Sequence, residues 1–379
     1  MKHKSVVVLV MLLSASVAGV AADKRPAVID VQNRPVLTGA LDRAGAAREA
    51  DSPMLWYDAS ALTLEGKGWK DTDTTYSRLP SRARDIATSA VWWLSHNSAG
   101  LAVRFVADST TIGAAWDGSR EYPMNHMAAT GSAGLDLYER CGDEWIYRGT
   151  GRPEQKRTVG MIARNLPSSP TEYLLYLPLY HPVTGLKIGI DPGASIAPAP
   201  PRPAGRNRPI VFYGTSITQG GCASRAGMCH VAILGRWLGR ETINLGFSGS
   251  GKLEPELAPL LAEIDAEAFV IESLPNMNRE QVAERVAPAA RILRAKHPGM
   301  HILLVENPLC ARNAPQNVTL RKVFEQLQKE GVKQIYLLPA DKQLAGRENG
   351  TVDGVHPTDL GFLRMAEAYM PVMRQMLPR

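Results

Sequence analysis

Residues 210–221 read Ile210-Val211-Phe212-Tyr213-Gly214-Thr215-Ser216-Ile217-Thr218-Gln219-Gly220-Gly221. The four consecutive large apolar residues predict an interior strand of a parallel sheet, and Gly214 allows the backbone to turn sharply where that strand ends. In open α/β sheets, ligands bind at the carboxyl ends of the strands, which is where this turn places Ser216. A glycine two residues before a serine is common in ordinary loops. The assignment of Ser216 as a nucleophile therefore depends on residues further along the chain.

Three later segments offer the groups that a nucleophilic serine needs, namely a base for its proton and donors for an oxyanion. Asp353-Gly354-Val355-His356 places a carboxylate three residues before an imidazole, so that the carboxylate can reach one ring nitrogen while the other faces Ser216. Residues 244–251, Asn-Leu-Gly-Phe-Ser-Gly-Ser-Gly, follow a short strand and can present a glycine N–H. Asn276 follows a strand predicted at 268–271 and supplies a side-chain amide.

In these four segments the chain resembles the SGNH (GDSL-type) hydrolases, which carry serine, glycine, asparagine and histidine blocks in this order. Matched residue by residue, the resemblance implies that Ser216 is the nucleophile, His356 the base and Asp353 the group that orients the base. It also implies an oxyanion hole formed by the N–H of Ser216, the N–H of Gly249 and the side chain of Asn276. No cofactor is implied.

The chain departs from the family pattern in two places. Gly-Thr-Ser-Ile-Thr replaces the usual Gly-Asp-Ser-Leu, and Met277 follows the asparagine where many members have an aspartate. Neither change removes a catalytic group, but both weaken any transfer of substrate preference from better-known branches.

Beyond residue 209, strands and helices alternate, which predicts an α/β domain over 209–379 with a parallel sheet flanked by helices. Further strands are predicted at 302–305 and 334–338. Helical periods occur at 253–264, 280–297, 319–331 and 357–376. This alternation places the four blocks at one edge of the sheet.

Residues 47–195 are predicted to form a β-sandwich of the jelly-roll kind, because short strand patterns alternate with turn residues. Strands are expected at 89–94, 101–106, 144–147, 173–177 and 186–190, with Leu101, Val103 and Phe105 on one face. Within this region, Gly134-Leu135-Asp136-Leu137-Tyr138 resembles the Gly-x-Asp-Leu-Tyr motif of a β-domain that precedes the catalytic domain in one branch of SGNH hydrolases. That branch resembles bacterial carbohydrate-directed esterases. We expect the sandwich to form one wall of the substrate groove.

The remaining segments are a signal peptide, an extension and a linker. Residues 1–22 combine early lysines, a short apolar run and a Val-Ala-Ala cleavage site, which predicts export to the periplasm or the extracellular space. Residues 23–46 form an amino-terminal extension. The prolines of residues 196–208 stiffen the chain and are expected to prevent regular ladders, so this segment is predicted to be the domain linker.

Composition excludes several classes of partner and leaves the pairing of the cysteines open. The formal net charge of +6 is spread thinly, and the linker arginines lack interleaved aromatic residues, which argues against nucleic-acid binding. No apolar run is long enough for stable membrane insertion.

Of the four cysteines, Cys222 and Cys229 are the best local pair for a disulfide; the alternative is that they are small buried apolar residues. No cysteine or histidine cluster has the sequence spacing of a metal site.

Three charged residues near the predicted edge invite weaker interpretations. Arg225 and Glu306 are candidates for substrate binding, although a loop arginine is often solvated and a glutamate at a strand end often caps a loop. Glu272 is expected to be a hydrogen-bonded structural carboxylate.

The sequence thus predicts an exported serine esterase that removes short acyl groups, acetyl above all, from carbohydrate. Alternatives with the same blocks are a lipase, an arylesterase or a thioesterase, whose substrates would be other small esters. An alternative of another class is a noncatalytic carbohydrate-binding protein on a hydrolase scaffold.

Overall fold

The computed structural model describes residues 37, 39–49, 52–117, 124–154, 156–344 and 349–377. The predicted signal peptide, 1–22, and most of the predicted extension, 23–46, lie outside the described residues. Within these ranges no helix has the length and apolar character needed to cross a membrane.

Strands and helices follow one another along the chain in the following order. The strands are β1 (Leu55–Asp58), β2 (Thr63–Glu65), β3 (Ala102–Ala107), β4 (Ile112–Asp117), β5 (Leu135–Cys141), β6 (Glu144–Gly151), β7 (Arg157–Ala163), β8 (Thr171–Tyr176), β9 (Leu186–Ile190), β10 (Ile196–Pro198), β11 (Ile210–Gly214), β12 (Thr242–Gly246), β13 (Ala268–Glu272), β14 (His301–Val305) and β15 (Ile335–Leu338). The α-helices are α1 (Ser89–Leu94), α2 (Ala129–Ser132), α3 (Ser216–Gln219), α4 (His230–Leu238), α5 (Ala258–Leu261), α6 (Arg279–Lys296), α7 (Pro315–Lys329) and α8 (Asp359–Met376). Short 3₁₀ helices occupy Arg43–Gly45, Ala59–Ala61, Ser81–Asp85, Ala226–Met228, Leu274–Asn276 and Ala340–Lys342.

The amino-terminal half is the predicted antiparallel β-sandwich. One sheet has the order β1-β9-β4-β7, and the other has the order β10-β3-β8-β5-β6 with β2 paired to β3. Leu101, Val103 and Phe105 all lie in the core between the two sheets, as their alternation predicts. Apolar side chains from both sheets fill that core, among them Trp116 and Ile188 of the facing sheet.

The carboxyl-terminal half is a parallel sheet with the strand order β12-β11-β13-β14-β15. Helices α4 and α8 cover one face of this sheet, and α5, α6 and α7 cover the other. Gly214 at the end of β11 is opposite both Gly246 of β12 and Glu272 of β13, so these three strands end at the same level. The chain order reverses next to β11, and crevices for ligands form at such switch points.

Two predictions of local structure are wrong, and a third holds only in part. Residues 89–94 form helix α1 rather than a strand; the Thr88 side chain caps it by accepting from the N–H of Val91, and Val91 and Leu94 face the core. The helical period is hard to recognise in the sequence, because Trp93 is apolar like its neighbours but lies between the buried positions and is 67% exposed. Residues 196–198 pair with β3 as an edge strand, a position that tolerates the missing N–H of Pro198.

The helix predicted over 253–264 is much shorter in the structure. Only Ala258–Leu261 is α-helical, and Pro259 occupies its second position. Proline has no N–H to donate, so it fits the first turn of a helix and cannot continue one that began earlier.

A buried carboxylate joins the sandwich to the parallel sheet. Asp136, the aspartate of the Gly-x-Asp-Leu-Tyr motif, is 0% exposed. It accepts hydrogen bonds from Nη1 of Arg225 at 2.8 Å and 3.0 Å, from the N–H of Gly227 at 2.9 Å and from the hydroxyl of Tyr138 at 3.2 Å. A buried charge requires such partners. Because Arg225 and Gly227 belong to the parallel-sheet half, the aspartate of the motif connects the two halves.

Candidate active site

Ser216 lies just beyond the carboxyl end of β11, as the first residue of α3. Thr215 caps this helix: its hydroxyl accepts from the N–H of Ile217, and the Thr218 hydroxyl accepts from the N–H of Thr215. The first N–H groups of a helix have no intrahelical acceptor, so the N–H of Ser216 can donate to a bound group.

Gly214 is required for a different reason from the predicted sharp turn. Its φ is not in the left-handed region, but a Cβ added to it would lie 2.1 Å from the hydroxyl oxygen of Thr218 and 2.8 Å from the carbonyl oxygen of Glu272. The strand ends and the turn pack too closely for a side chain. This close packing sets the position of the backbone that carries Ser216.

Asp353, His356 and Ser216 form one continuous hydrogen-bonded series. Nε2 of His356 lies 2.9 Å from Oγ of Ser216, and Nδ1 of His356 lies 2.8 Å from Oδ2 of Asp353. The other oxygen of Asp353 accepts from the N–H groups of Val355 at 3.0 Å and His356 at 2.8 Å. The turn is closed by the N–H of Val352, which donates to the carbonyl of His356. The aspartate therefore holds both the ring and the backbone of His356.

The charge on Asp353 decides which nitrogen of His356 carries the proton. Desolvation would raise the pKa of Asp353, but hydrogen bonds from the backbone and ring of His356 and the backbone of Val355 outweigh it and hold that pKa well below the ordinary value. An ionised carboxylate only accepts hydrogen bonds, so Nδ1 of His356 must be the donor. Nε2 is then an acceptor, which is the state that can take the proton of Ser216.

The two segments predicted to supply donors for an oxyanion follow β12 and β13. Gly249 is exposed on its loop with φ +66°, a conformation that favours glycine. The Gln219 side chain accepts from the N–H of Ser248 at 2.9 Å and so ties this loop to α3. Asn276 ends a short 3₁₀ helix, and its amide donates to the carbonyl of Ser250 at 2.5 Å. An amide has two N–H donors, so one remains for an oxyanion.

The sandwich brings two further residues to this site that sequence patterns did not single out. The hydroxyl of Tyr180 donates to the carbonyl of Ser216 at 3.3 Å. His126 lies with its ring centroid 5.6 Å from that of His356, and its Nε2 is 3.9 Å from Oδ2 of Asp353. Both lie in irregular segments without a periodic signal, so only the tertiary structure identifies them.

Arg78 is a further residue that the sequence did not reveal, and it supports the site from beneath the surface. Its guanidinium is buried and donates to the carbonyls of Asn244 at 3.0 Å and Gly246 at 2.7 Å, and also to those of Leu94 and Asn97. Burial lowers the pKa of Arg78 to about 9, which still leaves it charged at neutral pH. It thereby positions the end of β12, from which the glycine block starts.

Glu272 has the structural role expected for it. It is buried at the end of β13 and accepts from the hydroxyls of Thr218 at 2.9 Å and Tyr369 at 2.7 Å, with Nε2 of His230 at 3.1 Å. These contacts fasten α3, α4 and α8 to the sheet beneath Ser216.

Neither charged residue proposed for substrate binding joins Ser216 in the structure. Glu306 is 1% exposed, forms an ion pair with Arg321 and accepts from the N–H of Ala340 at 2.9 Å. That prediction is wrong, because a buried and fully engaged carboxylate caps a loop and is not available to substrate. Arg225 binds Asp136 and stacks on Tyr147 with its guanidinium carbon 4.0 Å from the ring centroid.

Cys222 and Cys229, the best local pair for a disulfide, are not bonded to each other. No disulfide joins the four cysteines, all of which lie within the described residues. Cys222 and Cys229 are buried thiols, as the alternative interpretation holds. Cys222 has φ +71°, unusual for a residue with a side chain, and burial raises its pKa to about 11.

Comparisons with known proteins agree with this architecture. The family model described as the GDSL-like lipase/acylhydrolase family matches residues 207–374, and that of the N-terminus of SGNH-hydrolase-type esterases (GxDLY) matches residues 54–196. A crystal structure of a GDSL-like lipase from Bacteroides ovatus ATCC 8483 is 35% identical, with a TM-score of 0.78, over 86% of this chain and 98% of that chain. The chain belongs to the GDSL-like lipase/acylhydrolase family. It is a serine ester hydrolase.

More distant structures share the fold of this GDSL-like enzyme. Salicylyl-acyltransferase SsfX3 from a tetracycline biosynthetic pathway is 17% identical with a TM-score of 0.68, over 87% of this chain and 98% of that one. The acetyl xylan esterase Est2A from the rumen bacterium Butyrivibrio proteoclasticus is 11% identical with a TM-score of 0.56, over 86% and 99% of the two chains. At these identities the likeness concerns the fold alone. Comparison with curated proteins found no match.

Proposed function

We propose that this enzyme hydrolyses short acyl esters, acetyl above all, on carbohydrate, with Ser216 as nucleophile, His356 as base and Asp353 as the group that orients the base. The observation that carries the proposal is the hydrogen-bonded series from Asp353 through His356 to Ser216 at the end of β11. Oγ of Ser216 attacks the ester carbonyl while Nε2 of His356 takes its proton. The same nitrogen then protonates the departing sugar oxygen, and an acyl-Ser216 remains.

Water completes the cycle by the same groups. His356 removes a proton from water as its oxygen attacks the acyl carbonyl, and it returns that proton to Ser216 as acetate leaves. In both halves the carbonyl oxygen becomes an oxyanion. The N–H groups of Ser216 and Gly249 and the amide of Asn276 are the donors that we assign to it.

A short acyl group suits the surroundings of Ser216. Residues 248–251 of the loop after β12 are all small: Ser248, Gly249, Ser250 and Gly251. A long acyl chain needs a deep apolar pocket, and the sequence has no long apolar segment that could act as a lid. The lipase alternative is less well supported for that reason.

A groove between the sandwich and the parallel-sheet half can hold the sugar chain. It has a volume of about 750 Å³ and is lined by aromatic and charged side chains from both halves, including Trp145, Tyr147, Arg225, Trp237 and Arg374. Trp237 is 45% exposed. Aromatic faces combined with polar donors suit sugar rings. The lining does not include Ser216, so we assign the groove to a part of the substrate remote from the ester.

The direct test is acetate release. The enzyme should liberate acetate from an acetylated oligosaccharide with a higher kcat/KM than from a small activated acetate ester, and it should act poorly on long-chain acyl esters. Acetate and fatty acid are measured separately in the same preparation. Equal preference for long chains would favour the lipase alternative, and failure to turn over any ester would favour the noncatalytic one.

Replacing Trp237 with alanine tests the groove. Because the groove binds the sugar and not the ester, Trp237→Ala should raise KM for the acetylated oligosaccharide and leave kinetics on the small ester unchanged. Removing one stacked aromatic typically costs a factor of about 10 in affinity. Trp93→Ala is the matched control, because Trp93 is also highly exposed and lies outside the groove lining. Equal losses on both substrates would remove the groove from the proposal.

Replacing Asn276 tests the oxyanion hole. One side-chain donor supplies about 10²- to 10³-fold in rate, so Asn276→Ala should lower kcat by that factor with little change in KM. Asn276→Asp has nearly the same shape but lacks the donor, and it should be at least as impaired. If KM rose instead while kcat stayed constant, Asn276 would be a substrate-binding residue.

The proposal includes export, with the enzyme acting in the periplasm or outside the cell. Its support is the sequence of residues 1–22, in which Lys2 and Lys4 precede an apolar run and Val20-Ala21-Ala22 offers a cleavage site. An exported enzyme would meet acetylated polysaccharide directly.

A further inference from the structure

Three side chains with metal-binding atoms converge beside the candidate triad. They are His126 of the sandwich, Cys222 from the loop after α3, and His356 itself, and one ligand atom of each lies within 4.8 Å of those of the other two. The sequence predicted no metal site because these residues are about a hundred positions apart. Folding alone brings them together, so that prediction does not exclude this cluster.

The chemistry of the three groups selects a particular class of ion. Two imidazoles and one thiolate are ligands for zinc and similar transition metals, whereas Mg²⁺ and Ca²⁺ prefer oxygen. Zinc bonds of about 2.0–2.3 Å place tetrahedral ligand atoms about 3.3–3.8 Å apart. The ligands are within 4.8 Å, so small side-chain rotations close the gap. Three protein ligands leave a fourth position for water, an arrangement typical of open zinc sites.

The surroundings favour a cation and allow the rotation. Oδ2 of Asp353 lies 3.9 Å from Nε2 of His126 and 2.8 Å from Nδ1 of His356, so an ionised carboxylate borders the cluster. The side chain of His126 is 33% exposed, and its Nδ1 lies 3.1 Å from the amide oxygen of Asn125. A carboxylate or amide behind a metal-binding histidine orients the ring and strengthens it as a ligand.

We propose that His126, Cys222 and His356 bind one zinc-class divalent ion, and that the bound ion switches the esterase off. The inhibition rests on the proposed triad, whereas ion binding does not. Whichever nitrogen of His356 coordinates the metal is lost to catalysis: Nε2 can no longer accept the proton of Ser216, or Nδ1 can no longer donate to Asp353. The thiol of Cys222 gives its proton to solvent when the metal binds.

The binding test uses full-length Ser216→Ala protein, so that its outcome does not depend on activity. Zn²⁺ affinity is measured by competition with a chromophoric chelator, and Co²⁺ is added separately to detect a thiolate-to-cobalt charge-transfer band. We expect one ion per chain and a cobalt–thiolate band. Adding Cys222→Ala should abolish the band, and either Cys222→Ala or His126→Ala should weaken Zn²⁺ binding by about 100-fold or more. Cys141→Ala and His96→Ala are controls, a cysteine and a histidine outside the cluster.

The activity test uses enzyme with Ser216 intact. Zn²⁺ should inhibit ester hydrolysis and a chelator should restore it, whereas Cys222→Ala and His126→Ala should resist Zn²⁺ when each is compared with its own rate without the ion. Absence of the cobalt–thiolate band, or unchanged Zn²⁺ affinity in both variants, would overturn the site. His126 lies partly exposed in an irregular segment, so its variant remains informative if Cys222→Ala folds poorly. A site that binds Zn²⁺ without inhibiting would overturn the switch. If no variant or wild-type protein hydrolysed esters, the proposed function would fail while the binding result stood.

Discussion

Ser216→Ala is expected to lower kcat for ester hydrolysis by roughly 10⁴- to 10⁶-fold, which is the scale seen when the nucleophile of a serine hydrolase is removed. Alanine leaves His356 without a hydroxyl to deprotonate, and no acyl-enzyme can form. Folding should be unaffected, because the turn is held by the Thr215 and Thr218 hydroxyls and by close packing at Gly214.

The measurement combines steady-state kinetics with mass spectrometry. A fluorophosphonate should add covalently to the wild-type protein at Ser216 and leave the variant unmodified, and both proteins should show the same thermal unfolding. Ser60→Ala, which changes an exposed serine of the sandwich, is the control and should behave as wild type. A Ser216→Ala protein with most of its activity would show that another group performs the attack.

Asp353→Asn is expected to have the second largest effect, a loss of about 10⁴-fold in kcat, as for the equivalent change in serine proteases. An asparagine can keep its oxygen toward the N–H groups of Val355 and His356, so the turn is preserved. Its amide nitrogen then faces Nδ1 of His356 and donates to it. The ring is forced into the tautomer that carries hydrogen on Nε2, which cannot accept the proton of Ser216.

The pH dependence of the wild type gives a second measurement of the same pair. Because the hydrogen bonds from His356 and Val355 hold the pKa of Asp353 well below its ordinary value, Asp353 stays ionised as the pH falls through the assay range. A general base must be unprotonated to accept the proton of Ser216, so kcat/KM should decrease as pH falls and plateau as it rises. Asp265→Asn, at a largely exposed aspartate outside the groove lining, should not alter rate or profile. A flat profile, or normal activity of Asp353→Asn, would contradict the assignment.

The sequence determined those features that depend on neighbours along the chain. The apolar run of β11, the turn before Ser216 and the pair of Asp353 and His356 three residues apart could all be recognised locally, because a strand end and a tight turn involve few residues. The alternation of strands and helices also predicted the parallel sheet, and parallel strand ends necessarily meet at one edge. Local patterns failed where the spacing of apolar residues fitted both a helix and a strand. Helix α1 is an example, because its six residues are too few to distinguish the two spacings.

Tertiary structure alone decided what each polar side chain contacts. Glu306 and Arg225 look alike in sequence as charged residues near the sheet edge, yet one is buried against Arg321 and the other is tied to Asp136. Arg78, far from every motif, supports the end of β12. The convergence of His126, Cys222 and His356 and the groove beside Trp237 depend on how the sandwich docks onto the parallel sheet. That docking depends on many weak contacts between residues far apart in the chain. Such contacts produce no periodic pattern in a single sequence.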